Sequence, residues 1–123
     1  MTTQQVADRY YELIQQYKHE QILNELYSPD IISSEPINDT NLPDRVEGMK
    51  AYKEKEALFY GQVEEMYGSY MAPPIVSTFH FAMMSGMDVK MKGKKRMKKD
   101  QIGVFQVRDG KIFREQWFYN DFE

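Results

Sequence analysis

The 123-residue chain contains no cysteine, which excludes disulfide bonds, thiolate metal ligands and cysteine nucleophiles. It has only two histidines, His19 and His80, and they form no HxH or HxxxH pair, so we expect no bound metal ion. The sequence also lacks a glycine-rich phosphate-binding loop and the serine elbow of the α/β hydrolases. We therefore expect a protein without a cofactor.

Long apolar runs are absent as well. No stretch approaches the ~20 apolar residues that a membrane-spanning helix requires. The N-terminal sequence MTTQQVADRYYEL lacks the basic segment followed by an apolar segment that marks an export signal. With the absence of cysteine, these features predict a soluble, cytoplasmic protein with no membrane partner.

The composition is that of a folded globular protein, with 41% hydrophobic and 14% aromatic residues. No internal repeat or linker interrupts the chain. We expect residues 1–123 to form a single domain, long enough to bury a hydrophobic core.

The segment Lys90–Lys99, KMKGKKRMKK, carries seven basic side chains, whereas the whole chain has a net charge of −3. Nucleic acid is an unexpected partner, because the segment has no interleaved aromatic residues for base stacking and the chain has a pI of about 5.4. We interpret the segment as the tip of a long hairpin, where lysines keep a sheet edge soluble. Binding of another anionic partner remains an alternative.

Three helices are predicted in the first half of the chain. Thr2 and Thr3 are candidate caps of a first helix that runs to about Tyr17, because apolar residues recur there at three- and four-residue spacing. A second, shorter helix ends before Pro29. A third begins after Gly48, and its apolar stripe extends to Met66.

The second half of the chain is predicted to be strands, after a short strand over residues 30–35. The sequence Val107-Arg-Asp-Gly-Lys-Ile112 predicts a tight hairpin, because Asp109-Gly110 can supply the positive φ angles of a type I′ turn. Helices followed by a sheet give the α+β class.

The strand pairing assigns side chains to the two faces of the sheet. Uninterrupted pairing from the Asp109-Gly110 turn places Phe105 opposite Arg114 and Gly103 opposite Gln116. An even-numbered loop at Gly93 then places His80 on the same face as Phe105. The opposite face is also rich in apolar residues, which favours a homodimer formed through that outer face.

The order of these features resembles the SnoaL-like branch of the NTF2-like superfamily. The matching residues are Leu26-Tyr27-Ser28-Pro29-Asp30, Gly48, and Asp109-Gly110-Lys111-Ile112 leading to the segment 115–119, EQWFY. The resemblance covers nearly the whole chain. It implies an NTF2-like cone, an α+β barrel in which N-terminal helices pack on a strongly curved, mostly antiparallel sheet.

The resemblance also implies a pocket for a small molecule inside the cone. Members with this fold carry out isomerase, dehydratase or cyclase chemistry by acid–base catalysis, and others only bind a ligand or dimerise. We expect an apolar or carbonyl-containing ligand. The alternative is a non-catalytic dimeric interaction module.

His80 and Glu56 are the candidate catalytic residues. His80 is the histidine that the pairing places on the pocket face, where a general base is required. Glu56 lies on the apolar stripe of the third helix, where a carboxylate must be paired or protonated, and Arg114 is its expected counter-ion. The alternatives are a core histidine with a hydrogen-bond partner and a structural salt bridge.

The remaining expected site residues fall into two sets. The expected pocket also contains Tyr10, Tyr17, Glu35, Tyr52, Phe59, Met84, Gln101, Arg114, Gln116 and Phe118. The expected dimer face consists of Phe79, Phe81, Ile102, Val104, Phe113, Trp117 and Tyr119.

Overall fold

A computed structural model of the chain describes residues 1–38 and 40–120. In these residues it has three helices, α1 (Thr3–Gln15), α2 (His19–Leu26) and α3 (Met49–Gly61). The predicted cap of α1 is confirmed, because Thr2 Oγ1 accepts a hydrogen bond from Gln5 N and Gln5 Oε1 accepts one from Thr2 N. The helix ends before Tyr17, whose φ of 58° is incompatible with a further helical turn.

The described residues form seven strands: β1 (Tyr27–Ser34), β2 (Arg45–Glu47), β3 (Val63–Met71), β4 (Ile75–Val76), β5 (His80–Met91), β6 (Arg96–Arg108) and β7 (Lys111–Phe118). They form one curved, open sheet in the order β2-β1-β7-β6-β5-β3, with β4 paired to β5. The β1–β7 pair is parallel and every other described pair is antiparallel. The α+β cone predicted from the sequence is thereby confirmed.

The main core lies between the helices and the inner face of the sheet. The rings of Phe81 and Phe105 stack at 4.7 Å between centroids, and Tyr10 from α1 packs on both. Ile112 of β7 and Leu26 of α2 are fully buried in the same core. Burial of these large side chains stabilises the docking of α1 and α2, at about 1.5–3 kcal/mol for each fully buried one.

The third helix is shorter than its apolar stripe predicts. It ends at Gly61, and Val63 and Met66 lie in β3 rather than in the helix. The prediction to Met66 is wrong because Val63–Met71 pairs with β5, and this tertiary pairing overrides the helical spacing of Val63 and Met66.

The hairpin turn between β6 and β7 is confirmed, with φ of 53° at Asp109 and 74° at Gly110. Val107 pairs with Ile112 as predicted, but Gln106 then pairs with Arg114, which leaves Phe113 as an extra residue in β7. This β-bulge exchanges the two faces of β7 beyond Phe113.

The hairpin between β5 and β6 also differs from the prediction by one residue, here in the length of its loop. Lys90 pairs with Arg96, so an odd number of residues separates the partners and the predicted even loop at Gly93 is wrong. An odd loop exchanges the two faces of β5, so every side chain of the strand lies on the face opposite to the predicted one. Phe81 and Met83 therefore lie inside the cone, and His80 lies outside.

Within residues 1–38 and 40–120, no helix has the length and apolar character needed to cross a membrane.

Candidate functional site

A cavity of about 210 Å³ lies between α3, the start of α2 and the inner face of the sheet. Polar and aromatic side chains share its wall. The lining residues are His19, Ser33, Glu35, Thr40, Leu42, Tyr52, Lys55, Glu56, Phe59, Tyr60, Met87, Gln101, Glu115, Trp117 and Tyr119.

A histidine–carboxylate pair forms one part of the wall. His19, the first residue of α2, places Nε2 at 2.7 Å from both carboxylate oxygens of Glu56 on α3. Burial opposes the charged form of His19, but the hydrogen bond and the negative charge of Glu56 outweigh it, so the pKa of His19 is raised above 6.5. Both side chains keep partial access to solvent.

A buried carboxylate, Glu115 on β7, lies deeper in the wall. Its two oxygens accept hydrogen bonds from Tyr27 Oη and from Ser33 Oγ, the latter at 2.8 Å. Burial raises the pKa of Glu115 above its ordinary value, although the hydrogen bonds from its neighbours act in the opposite direction. The folded protein thus favours the protonated form of this side chain more than water does.

A third carboxylate, Glu35, follows β1. It forms an ion pair with Lys55 of α3 and accepts a hydrogen bond of 2.6 Å from Tyr119 Oη. Asn38 Nδ2 donates to the same tyrosine oxygen at 2.6 Å. These contacts attach the segment after β1 to α3 and to the residue that follows β7.

Five of the expected pocket residues line this cavity: Glu35, Tyr52, Glu56, Phe59 and Gln101. Tyr10 instead lies in the core against Phe81 and Phe105. Tyr17 is 77% exposed after the end of α1, so its predicted place in the pocket is wrong.

The other expected pocket residues lie outside the cone. Arg114, Gln116 and Phe118 were expected inside, but the bulge at Phe113 turns them to the outer face. His80 and Met84 are on that face because of the odd loop at Gly93. His80 is exposed and cannot act in the cavity from there. The counter-ion of Glu56 is consequently His19 rather than Arg114.

The same exchange of faces alters the expected dimer face. Phe81 is buried in the core, and Trp117 and Tyr119 line the cavity, so these three assignments are wrong. Ile102 and Val104 do lie on the outer face, paired with Met84 and Ala82. Two further members of the set remain near the surface: Phe79 is exposed before β5, and Phe113 is half-buried beneath the Arg108 guanidinium.

Sequence reasoning missed His19 and Glu115. His19 lies between the first two predicted helices, where the strand pairing assigns no face, although a residue at a helix start can face the next layer of the fold. For Glu115 a signal was present, because a carboxylate between Ile112 and Trp117 on a central strand is unusual and needs buried partners. Because the predicted pairing contains no bulge at Phe113, it places Glu115 on the wrong face of the sheet.

Comparison with known proteins places this geometry in a family. The sequence profile of the SnoaL-like domain matches residues 1–119, and the chain belongs to that family. No protein with a curated description matches the sequence.

Solved structures show the same fold. A proposed SnoaL-like polyketide cyclase from Mesorhizobium loti is 26% identical, with 97% of this chain and 100% of that chain covered and a TM-score of 0.87. A protein of unknown function with a cystatin-like fold from Xanthomonas campestris is 21% identical, with 97% and 91% covered and a TM-score of 0.79. An NTF2-like protein of unknown function from Burkholderia pseudomallei is 15% identical, with 96% and 90% covered and a TM-score of 0.76.

Proposed function

We propose that this protein binds a small carbonyl-containing molecule in the cavity and transfers a proton at the carbon next to the carbonyl group. The observation that carries the proposal is the His19–Glu56 pair in the cavity wall, at 2.7 Å and partly open to solvent. A carboxylate held by a histidine in the wall of a half-open cavity is an arrangement suited to general acid–base catalysis.

In the proposed step, a carboxylate oxygen of Glu56 takes the proton from the carbon. The C–H electron pair becomes the carbon–carbon double bond of the enolate, and the carbonyl π electrons move to the oxygen. His19 orients the carboxylate through its hydrogen bond. The side-chain amide of Gln101, also in the wall, is the candidate donor to the enolate oxygen. When the carboxyl proton of Glu56 exchanges with solvent before a proton returns to the same carbon, the reaction is a hydrogen exchange. When the substrate has a conjugated double bond, return of the proton to the γ carbon completes an isomerisation.

The relationship to the Mesorhizobium loti protein supports a carbonyl substrate, since that protein is a proposed polyketide cyclase and polyketides are rich in carbonyl groups. The three carboxylates of the cavity wall also give it more than one group able to accept or donate a proton. Glu35 and Glu115, however, are each held by at least two protein donors, which leaves Glu56 as the most accessible base.

The test is deuterium exchange into cyclohexanone, which contains one carbonyl and exchangeable neighbouring hydrogens. Incubation with the protein in D₂O is expected to accelerate loss of the α-proton NMR signal over the buffer rate. Glu56→Gln should reduce the protein-dependent rate at least 100-fold, within the range that general acid–base catalysis contributes. Glu54→Gln, an exposed glutamate two residues away on α3, is the matched control and should leave the rate unchanged.

Two results would contradict the proposal. Exchange that persists in Glu56→Gln would remove Glu56 from the role of base. Binding of cyclohexanone without any acceleration would reject the enzymatic step and favour the non-catalytic binding module.

We also propose a homodimer through the outer face of the sheet. Met84 pairs with Ile102, and Ile102 pairs with Phe118, so the three side chains form one row across β5, β6 and β7. They are 41%, 51% and 49% exposed. A contiguous, exposed apolar row on a sheet face is a typical site for association, and a second copy would cover it with the same row.

A further inference from the structure

We infer that the ligand of the cavity is an uncharged molecule with a single ring. This inference rests on the proposed binding function and specifies its substrate class. Three features carry it: the volume of the cavity, the pairing of the charged groups in its wall, and the aromatic side chains between them.

The volume limits the ligand to about one ring. A cavity of 150 Å³ in another protein accommodates benzene, whereas pockets for drug-sized ligands measure roughly 300–1,000 Å³. At about 210 Å³, this cavity holds a six-membered ring with one or two polar substituents. A second fused ring would have to extend into solvent, where it gains little contact with the protein.

The pairing of charges disfavours an anionic ligand. His19 and Lys55 are the two basic residues among the described lining residues, and each already forms an ion pair, with Glu56 and Glu35 respectively. A bound carboxylate or phosphate would have to break one of these pairs and would also face Glu115. Leaving a half-buried carboxylate without its partner is unfavourable.

A cationic ligand is disfavoured for a related reason. Glu35 is satisfied by Lys55 and Tyr119, and Glu115 accepts hydrogen bonds from Tyr27 and Ser33. An ammonium group would therefore compete with protein donors for each of these carboxylates. Its own desolvation would add to the cost.

An uncharged ring meets none of these penalties. Phe59 and Trp117 offer aromatic surface in the cavity wall, and such surfaces stack on planar rings. The Gln101 amide can donate to, or accept from, one polar substituent without a change in charge. The cavity thus combines apolar contact with a neutral polar anchor.

The experiment compares four probes of graded charge and size with the full chain at pH 7: phenol, benzoate, benzylammonium and 2-naphthol. Binding is measured by chemical-shift titration of the ¹⁵N-labelled protein. Phenol is expected to bind at least tenfold more tightly than benzoate and benzylammonium. The second ring of 2-naphthol is expected to give no gain in affinity over phenol. Tighter binding of either charged probe, or tenfold tighter binding of 2-naphthol, would overturn the inference.

A matched pair of variants separates this inference from the proposed function. Gln101→Phe fills the cavity, whereas Gln106→Phe places the same side chain on the outer face of the same strand. Phenol affinity should fall at least tenfold in Gln101→Phe and stay within twofold in Gln106→Phe. If phenol affinity falls in neither variant, or falls equally in both, the cavity is not the binding site and the proposed function is rejected. If phenol affinity falls only in Gln101→Phe but the four probes do not bind in the expected order of affinity, only the substrate class is rejected.

Discussion

The residue pair at the centre of the proposal joins two helices that are far apart in sequence. His19 begins α2 and Glu56 lies in α3, 37 positions later. Neither residue is informative alone, because an exposed histidine and a helical glutamate are both common. Their proximity gives each a partner, and the shift in the pKa of His19 follows from that contact.

We expect Glu56→Gln to lower the pKa of His19 from its raised value. Burial, which disfavours the charged ring, would remain, while the hydrogen bond to a carboxylate and its charge would be lost. NMR titration of the His19 ring protons measures the change, and Glu54→Gln is the control. An unchanged pKa of His19 in Glu56→Gln would contradict the ion pair.

This pair also makes stability depend on pH. Because the folded-state pKa of His19 is raised, its contribution is fully present below pH ~6.5 and is lost as the pH rises through the folded-state pKa. Urea unfolding at pH 5.5 and pH 8.5 should therefore show a smaller difference between Glu56→Gln and the parent protein at the higher pH.

Glu115 gives a second prediction at the scale of one residue. Its pKa is raised on folding, so its contribution to stability is present below pH ~4.5 and declines as the pH rises through the folded-state value. Glu115→Gln is uncharged at every pH and should become progressively more stable relative to the parent protein as the pH rises from 4.5 to 8. Urea unfolding measures this trend, with exposed Glu65→Gln in β3 as the control. A constant difference across this range would show that Glu115 does not titrate differently on folding.

At the scale of the elements, two local irregularities decide which side chains of the sheet face the cavity. The bulge at Phe113 turns Glu115 and Trp117 inward, and the odd loop at Gly93 turns His80 outward. The Asp109-Gly110 turn could be predicted because its chemistry is local. The bulge could not be predicted, because nothing in Phe113 itself marks it as an extra residue. The bulge arises because Ile112 and Glu115 both pack into the interior.

A close contact between strands positions the tryptophan of the cavity. A Cβ atom at Gly103 would lie 2.6 Å from the Trp117 ring, which is the partner of Gly103 across β6 and β7. Gly103→Ala should displace the ring and destabilise the protein by about 1–3 kcal/mol through overpacking.

Trp117 is the single tryptophan of the chain, so its fluorescence emission should shift in Gly103→Ala, and urea unfolding measures the loss of stability. Gly68→Ala in β3 adds a methyl group with no atom within 4 Å and serves as the control. An unchanged emission spectrum together with unchanged stability would contradict the predicted contact.

At the scale of the whole molecule, the sheet has one face in the cone and one available to a partner. Ile102→Lys should abolish the proposed dimer, because it places a charge in the middle of the Met84–Ile102–Phe118 row. Light scattering after size-exclusion chromatography measures the mass. Leu58→Lys, which replaces a leucine that is 59% exposed on α3, should leave the dimer intact. A parent protein that is monomeric at 100 µM would reject the dimer.

The sequence by itself determined the α+β class, the three helices, the Asp109-Gly110 turn and the resemblance to the SnoaL-like family, because periodicity, caps and turn residues act over a few positions. It also indicated Tyr52, Glu56, Phe59 and Gln101, since these lie on faces that the helix and strand patterns assign correctly, whereas Glu35 was indicated by the family resemblance. Only the tertiary structure decided that His19, and neither His80 nor Arg114, meets Glu56. The physical reason is that one extra residue in a strand or loop exchanges its faces, and whether that residue is accommodated depends on packing across the whole sheet.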